Sequence, residues 1–555
     1  MTAREEHVIV NDPEQLKQVY EEHKNDIWVG YNSRQYDQHI LKAILLDFNP
    51  KELNDWIIVE DRPAFQFSNL LYKILLNNYD VMPNPPIGLK TLEGFMGNDI
   101  KETSVPFDID RKLTPAEIAE TIKYCRHDVE QTVEVFLERQ SEFDAMMGIC
   151  KAFKLPLSDI GKTEAKITAK VLDCVKTNWD DEFDYRFLPC LQLKKYAHVQ
   201  RWFEDLKKGA TSDIYKESLE VIVAGVPHVF GFGGIHGASD KPIHRKGCIL
   251  HVDVGSYYPS MLIAWDLVTR AARKPEMYKY IYDTRMELKH QGKKKEQAPY
   301  KKLLNAMSGA MKDPLNPAFD PCMNNTMCIN GQLMLLDLIE HLEVVDGFEL
   351  IQSNTDGLII KIPDTDEAFN QVDDICYEWE QRCSTDKCSI LLELDTIDEI
   401  YQKDVNNYIW IDHVTDKVER KGAYVKELSR IDADLPIINT ALVNYFTQKI
   451  PVSRTINECD DLIQFQKLVK LSNKYKWVEW NGQKFTFKSY RVFASKSRTG
   501  KIYKCRTESN PAKFGNTPDD CFIVNDDIKG AKCPSNLDKQ WYINLAERRL
   551  KDFGI

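Results

Sequence analysis

Two short apolar runs, each of which meets a carboxylate, constrain this chain more than any other feature. Residues 248–252 are mostly apolar, as a strand buried in a sheet requires, and the run ends in Asp253, then Gly255, Ser256, Tyr257, Tyr258 and Pro259. A carboxylate at the end of a buried strand is costly unless a cation or hydrogen-bond donors satisfy it. About one hundred positions later, apolar stretches within 348–362 flank Asn354-Thr355-Asp356-Gly357, a hairpin signature. Taken singly, each acid reads as a turn or strand-end residue. Laid beside the 248–253 strand, however, the hairpin brings Asp356 within a few ångströms of Asp253. Such a pair suits two divalent cations about 3.5–4 Å apart, which stabilise the attacking and leaving oxygens of a phosphoryl displacement. Mg2+ is favoured because the ligands are hard oxygens and the substrate brings phosphates of its own, with Mn2+ as a substitute.

Cations gather between the two acids. Residues 275–311 read as two helices joined at Lys293-Lys294-Lys295. The first carries Arg285 and Lys289 one turn apart and can end at Gly292; the second carries Lys301 and Asn305, followed by Ser308 and Gly309. Antiparallel helices presenting these groups from one face form a claw for a polyanion such as a triphosphate. Without the acids, the same residues read as surface charge pairing.

Upstream, the glycines of 230–237, with Gly233 and Gly234 adjacent, allow either a tight hairpin or close passage of the backbone against a nucleic-acid strand. The rest of 151–246 is less informative, and its basic pairs Lys194-Lys195 and Lys207-Lys208 read as solvated faces. Downstream, 398–428 holds Asn406-Asn407-Tyr408 and Arg420-Lys421-Gly422 in strand-like pieces around a turn. From about 436 the chain reads as helical and basic. There 467–476 and 488–506 alternate cations with Tyr475, Trp477, Tyr490, Phe493 and Tyr503, a pattern compatible with gripping a phosphate backbone. Residues 537–553 read as an amphipathic helix packed on a neighbouring domain.

Residues 7–31 predict strand, helix, strand, with Asp12 as N-cap and Pro13 at the first helical position. A helix with apolar Ile40, Leu41, Ile44 and Leu45 follows Asn32 and Asp37. Another opens at the capping box Thr114-Pro115-Ala116-Glu117 and carries Tyr124 and Asp128 on one face. Alone, Asp37 and Asp128 read as solvated or capping residues.

At 555 residues the chain has room for three or four domains of ~150 residues each. Its 43% hydrophobic and 28% charged residues fit a soluble globular protein. No run of about eighteen apolar residues predicts a membrane span, and the first residues lack the apolar region of a leader. Fourteen scattered cysteines, without CxxC pairs or zinc-type spacing, read as free thiols in a reducing cytoplasm. A net charge of -12 argues against indiscriminate coating of nucleic acid but leaves room for a local positive groove.

Together these pieces resemble family-B (polymerase-alpha-like) DNA polymerases of the compact bacteriophage type, over nearly the whole chain. Residues 253–260 are similar to the first palm motif, D-x-x-S-L-Y-P-S, departing at Tyr257. Residues 301–309 resemble the fingers motif K-x-x-x-N-S-x-Y-G, with Ala306 and Ser308 in place of its serine and tyrosine. Residues 354–357 resemble the D-T-D-S hairpin, with the first acid amidated as Asn354. The resemblance implies an α/β and α+β multidomain fold. It comprises an incomplete ribonuclease-H-like exonuclease domain (1–150), a connecting region (151–246), a right-hand palm (247–274 and 312–435), short helical fingers (275–311) and a thumb (436–555).

It further implies that Asp253, Asp356 and the Val254 carbonyl hold both metals. Arg285, Lys289, Lys301 and Asn305 hold the triphosphate beside Ser256 and Tyr257, and Tyr258 lies under the sugar and excludes a 2'-hydroxyl. Gly233, Gly234, Tyr408 and Lys421 touch DNA, although Asn406-Asn407-Tyr408 keeps only the tyrosine of the family's K-x-Y element. Partners are primer-template DNA, dNTPs and, as helpers, single-strand-binding protein, helicase or other replisome proteins, for a monomer in the host cytoplasm.

Asn32 to Asp37 and Tyr124 to Asp128 resemble the second and third exonuclease motifs, while the first, D-x-E, is absent, so proofreading is expected to be weak or missing. Only 48 positions separate Asp253 from Lys301. The insertions of protein-primed relatives are missing, so a nucleic-acid primer and low intrinsic processivity are expected. The departures at Ala306, Ser308 and Asn354 leave a second expectation, an inactive DNA-binding or scaffolding relative.

Overall fold

A computed structural model describes residues 6–106, 109–209, 211–507 and 510–555, which divide into two compact units. The leader reading touches residues 1–5, which lie outside the described residues. The first unit comprises the described residues up to Lys162 with Leu428–Ile438 and Ser453–Asn544; the second comprises Thr163–Glu427, Asn439–Val452 and Leu545–Ile555. No helix among the described residues is long and apolar enough to cross a membrane. All fourteen cysteines are free thiols.

In the first unit, Asp12 caps the helix Pro13–His23 by accepting from the Gln15 amide at 3.0 Å. Strand β1 (Ile27–Gly30) then pairs in parallel with β2 (Asn77–Asp80). The strand expected at 7–10 is absent. Those residues have no regular structure, and Val8 and Val10 stay exposed, because a short apolar run becomes a strand only where a neighbour supplies a ladder. The capping box at Thr114 is formed in both directions and starts the long helix Pro115–Glu138.

Among the described residues, the second unit holds nine antiparallel strands: β3 (Leu219–Val223), β4 (Val226–Phe230), β5 (His236–Ala238), β6 (Ile243–Val254), β7 (Glu349–Asn354), β8 (Gly357–Lys361), β9 (Leu392–Asp404), β10 (Asn407–Asp412) and β11 (Lys417–Lys421). Their order is β11-β10-β9-β6-β8-β7-β5-β4-β3, so β6 lies between the strand that follows the hairpin turn and β9. The predicted helical pair is present as Glu276–His290 and Lys294–Lys312, with Gly292 at φ +69° ending the first.

The helix Pro321–Leu342 is buried almost all round, polar positions included. Those positions bond to loop backbone. Asn330 accepts from the Leu188 amide at 2.8 Å and donates to the Arg186 carbonyl at 2.7 Å. Asp337 accepts from the Gln192 amide at 2.7 Å, and Gln332 holds both the N–H and the carbonyl of Gly231. A buried polar group is tolerated only when bonded, and here each bond also fixes a loop.

The helical reading of the region from about 436 is corrected: between its helices the region is built of strands. β12 (Lys467–Lys470), β15 (Ser489–Ala494) and β18 (Cys521–Ile523) form one sheet. β13 (Trp477–Trp480), β14 (Gln483–Phe485), β16 (Tyr503–Cys505) and β17 (Pro511–Lys513) form another. Tyr490 and Phe493 are core residues rather than a surface for phosphates, and cations lie on aromatic faces, as with Lys504 over Tyr475 at 5.0 Å. Arg491, fully buried, donates to the carbonyls of Gly94 (3.0 Å), Asn98 (2.8 Å) and Asp526 (2.8 Å), joining this region to the N-terminal portion of the same unit. The terminal helix forms as Lys539–Asp552.

Candidate active site

β6 ends at Val254, and the chain turns through Gly255 and Ser256 into the helix Tyr257–Ala264. Ser256 makes the turn at φ 56°, ψ 46°, a left-handed conformation that costs a residue with a side chain about 1–3 kcal/mol. Its Oγ accepts from the Arg285 guanidinium. The β7–β8 hairpin turns through Thr355 and Asp356, with Asn354 facing Gly357. Thr355 also has positive φ, +50°. It is pinned from outside: its amide donates to the Ile235 carbonyl at 2.8 Å, and a Cβ on Gly234 would stand 2.9 Å from its Oγ1.

The two acid-bearing chain ends meet. Asp253 is the register partner of Gly357, and the Val254 amide donates to the Asp356 carbonyl at 2.8 Å. A Cβ on Gly357 would stand 2.8 Å from Asp253 Oδ1, so glycine is needed there for close approach rather than for the turn. Burial pushes the Asp253 carboxyl up to about 7; the charges of Asp356, Glu393 and Asp395 add to this, and Lys289 opposes it. Burial raises Asp356 as well, against a backbone hydrogen bond and the pull of His251, Lys421 and Lys301.

A pocket of about 450 Å³ lies over this pair, and every residue expected to hold metal or nucleotide lines it: Asp253, Val254, Ser256, Tyr257, Tyr258, Arg285, Lys289, Lys301, Asn305 and Asp356. Arg285 is buried and donates through Nε to Gln297 at 3.3 Å, and burial lowers its pKa. Lys289 pairs with Glu393 at 2.6 Å. Lys301 and Asn305 are exposed on the pocket-lining face of their helix. Tyr257 is buried with its hydroxyl donated to the Gly331 carbonyl at 2.7 Å, so Tyr258, stacked on it at 5.6 Å, is the more exposed ring. Ser308 donates to Asn324 at 3.1 Å.

A second cavity of about 320 Å³ shares Asp253 and Asp356 with the first and is lined also by Gly357, Tyr408, Trp410, Lys417 and Lys421. Tyr408 and Lys421 are register partners on β10 and β11. Gly233 and Gly234 line neither cavity. Gly234 backs the Thr355 turn, and nothing lies near a Cβ placed on Gly233.

In the first unit, the Asn32 amide donates to Asp80 at 2.9 Å, and Asp37, raised by burial, opens the helix Asp37–Leu45. Tyr124 and Asp128 share one face of Pro115–Glu138. Lys90 sits over the Tyr124 ring at 4.6 Å and donates to both Asp128 (2.5 Å) and the wholly buried Glu93 (2.9 Å).

Gln297 and Glu393 line the first pocket and were not anticipated. Gln297 lies one helical turn before Lys301, on the same face. Glu393 begins an alternation with Asp395 that places both acids on one face of a strand.

Two adjacent carboxylates, both raised by burial and Asp253 further by its acidic neighbours, fit a divalent cation. Among the described residues, however, no group of three or more His, Cys, Asp or Glu side chains forms a ready cage. The pair therefore suits an ion that takes most of its ligands from water, backbone carbonyls and substrate, as Mg2+ does.

Fold and site define a mixed α/β chain of two units, one carrying a large antiparallel sheet with a carboxylate-floored, cation-walled pocket. No protein-family model matches the chain, and no curated protein does. Among solved structures, it is similar to the family B DNA polymerase from the hyperthermophilic archaeon Pyrobaculum calidifontis. The match has 13% identity over 98% of this chain and 71% of that one, with a TM-score of 0.42, a level that carries no functional weight.

Proposed function

We propose that this protein is a distant family-B-like, DNA-templated DNA polymerase that extends a primer 3'-hydroxyl with dNTPs, serving phage genome replication as a cytoplasmic monomer. The observation that carries the reading is the meeting of Asp253 and Asp356 beneath a pocket whose other wall offers Arg285, Lys289, Lys301 and Asn305. Residues 247–274 and 312–435 act as palm, 275–311 as fingers and 436–555 as thumb.

Asp253, Asp356 and the Val254 carbonyl would hold two Mg2+ ions, or Mn2+ in their place. When bound, these ions neutralise charge on the reacting phosphate and lower the pKa of the primer hydroxyl. The chain's own residues do the rest. Arg285, anchored by Ser256 and Gln297, joins Lys289, Lys301 and Asn305 in orienting the triphosphate for in-line attack on the α-phosphate with loss of pyrophosphate. Tyr258 faces the sugar, and Tyr408 and Lys421, in the adjoining cavity, suit the primer strand. Exonuclease activity is weak in this chain, because Lys90 already engages Asp128.

Primer extension with dNTPs and rNTPs in parallel tests the reading. Wild type should extend with dNTPs only when Mg2+ is present and should reject rNTPs, and Asp356→Ala should not extend. DNA binding without any extension would instead make the protein an inactive scaffold, the reading favoured by Ser308 and Asn354.

A further inference from the structure

Glu393 is the register partner of Asp253 on β9, and its carboxylate borders the same pocket. It accepts from the Lys289 ammonium at 2.6 Å and lies over the turn, where a Cβ on Gly255 would stand 3.1 Å from its Oε1. Both side chains are partly exposed, 41% for Lys289 and 55% for Glu393. One of the four groups assigned to the triphosphate is thus already engaged by an anion of the protein itself. Arg285 differs: its partners, Ser256 and Gln297, are neutral, and a phosphate can replace them without stranding a charge. To reach Lys289, a phosphate oxygen must take the position that the carboxylate oxygen holds, since charge-assisted bonds of this kind span about 2.7–2.9 Å.

We propose that Glu393 is an internal competitor of the incoming triphosphate: it holds Lys289 while the pocket is empty of nucleotide and sets how much nucleotide is needed to fill it. This rests on the nucleotide-binding reading above. A partly exposed ion pair is weak, so removing the carboxylate tightens nucleotide binding by about 1.5- to 5-fold. The gain shrinks as salt screens the charges. Because the competition runs through Lys289, the two residues are coupled, and the gain disappears when the lysine is replaced.

Equilibrium binding of dATP to the full chain on a dideoxy-terminated primer-template, with Mg2+ and no bond able to form, provides the test. Glu393→Gln should bind dATP about 1.5- to 5-fold more tightly than wild type at low salt, and should give no gain over Lys289→Gln when the two are combined. Unchanged or weaker binding by Glu393→Gln, or a gain that persists beside Lys289→Gln, overturns the role of Glu393 and leaves the nucleotide site standing. Failure of wild type to bind dATP overturns both.

Discussion

Across the β6–β8 ladder, Gly357 faces Asp253 so closely that a methyl group on the glycine would stand 2.8 Å from Asp253 Oδ1 and 3.0 Å from the Val252 carbonyl oxygen. Gly357 has no left-handed backbone to protect, so Gly357→Ala tests crowding alone. The variant should fold and lose primer extension by about 10–100-fold through misplacement of the Asp253 carboxylate. Circular dichroism beside extension rates checks this, and a variant with wild-type rates would contradict it.

Asp253 destabilises the fold it serves. Burial and three neighbouring acids push its carboxyl up to about 7, so above that pH the native state carries an ionised group that the unfolded chain accommodates more easily. Asp253→Asn keeps the shape and removes the charge. Its melting temperature should rise by about 1–3 °C at pH 8 while extension falls at least about a hundredfold. Scanning calorimetry and a primer-extension gel on the same preparation measure both. A fall in melting temperature would show that the carboxylate is stabilising.

Glu93 gives the first unit a pH dependence. Burial lifts it from an ordinary 4.5 to about 7 against the pull of Lys90. Its folded-state pKa is raised, so the native state keeps a proton that the unfolded chain releases. This contribution to stability is complete below about 4.5 and is lost as pH rises through 7. Glu93→Gln cannot ionise and should gain melting temperature relative to wild type more at pH 8 than at pH 5. Equal differences at the two pH values would remove Glu93 as the cause.

Arg491 should be the most expensive single replacement in the first unit. Arg491→Met would leave the carbonyls of Gly94, Asn98 and Asp526 without this donor, at ~1–3 kcal/mol for each buried acceptor left unsatisfied. Limited proteolysis should then cut within 453–544 under conditions where wild type resists. Unchanged protection would mean that the apolar cluster around Val478 and Val492 suffices to hold these strands.

The parts legible in the sequence were those fixed by local pattern. The apolar run into Asp253, the hairpin at Asn354 to Gly357, the helical pair split at Gly292 and the capping box at Thr114 each depend on a few adjacent residues, and each is present. What failed depended on distant partners. The apolar residues 7–10 have no ladder neighbour to make them a strand. The strands of 467–523 carry lysines and aromatics in a pattern that also suits a phosphate-gripping surface, yet Tyr490 and Phe493 are buried in cores. Glu393 reaches the site only through its pairing with Asp253, 140 positions away along the chain. The helix Pro321–Leu342 has no polar face to identify it, since its polar residues are as buried as its apolar ones.

That helix also bears on how the molecule is made. Residues 182–196 have little regular structure of their own and take their path from side chains on a later part of the chain: Asn325, Asn330, Asp337 and Glu340 in turn bond their backbone. A ribosome adding about 5–20 residues per second must therefore synthesise through residue 340 before the earlier stretch can settle. For several seconds of every round of synthesis, that stretch is exposed to chaperones and proteases, and single replacements at Asn330 or Asp337 should lower the yield of protein more than its activity per molecule.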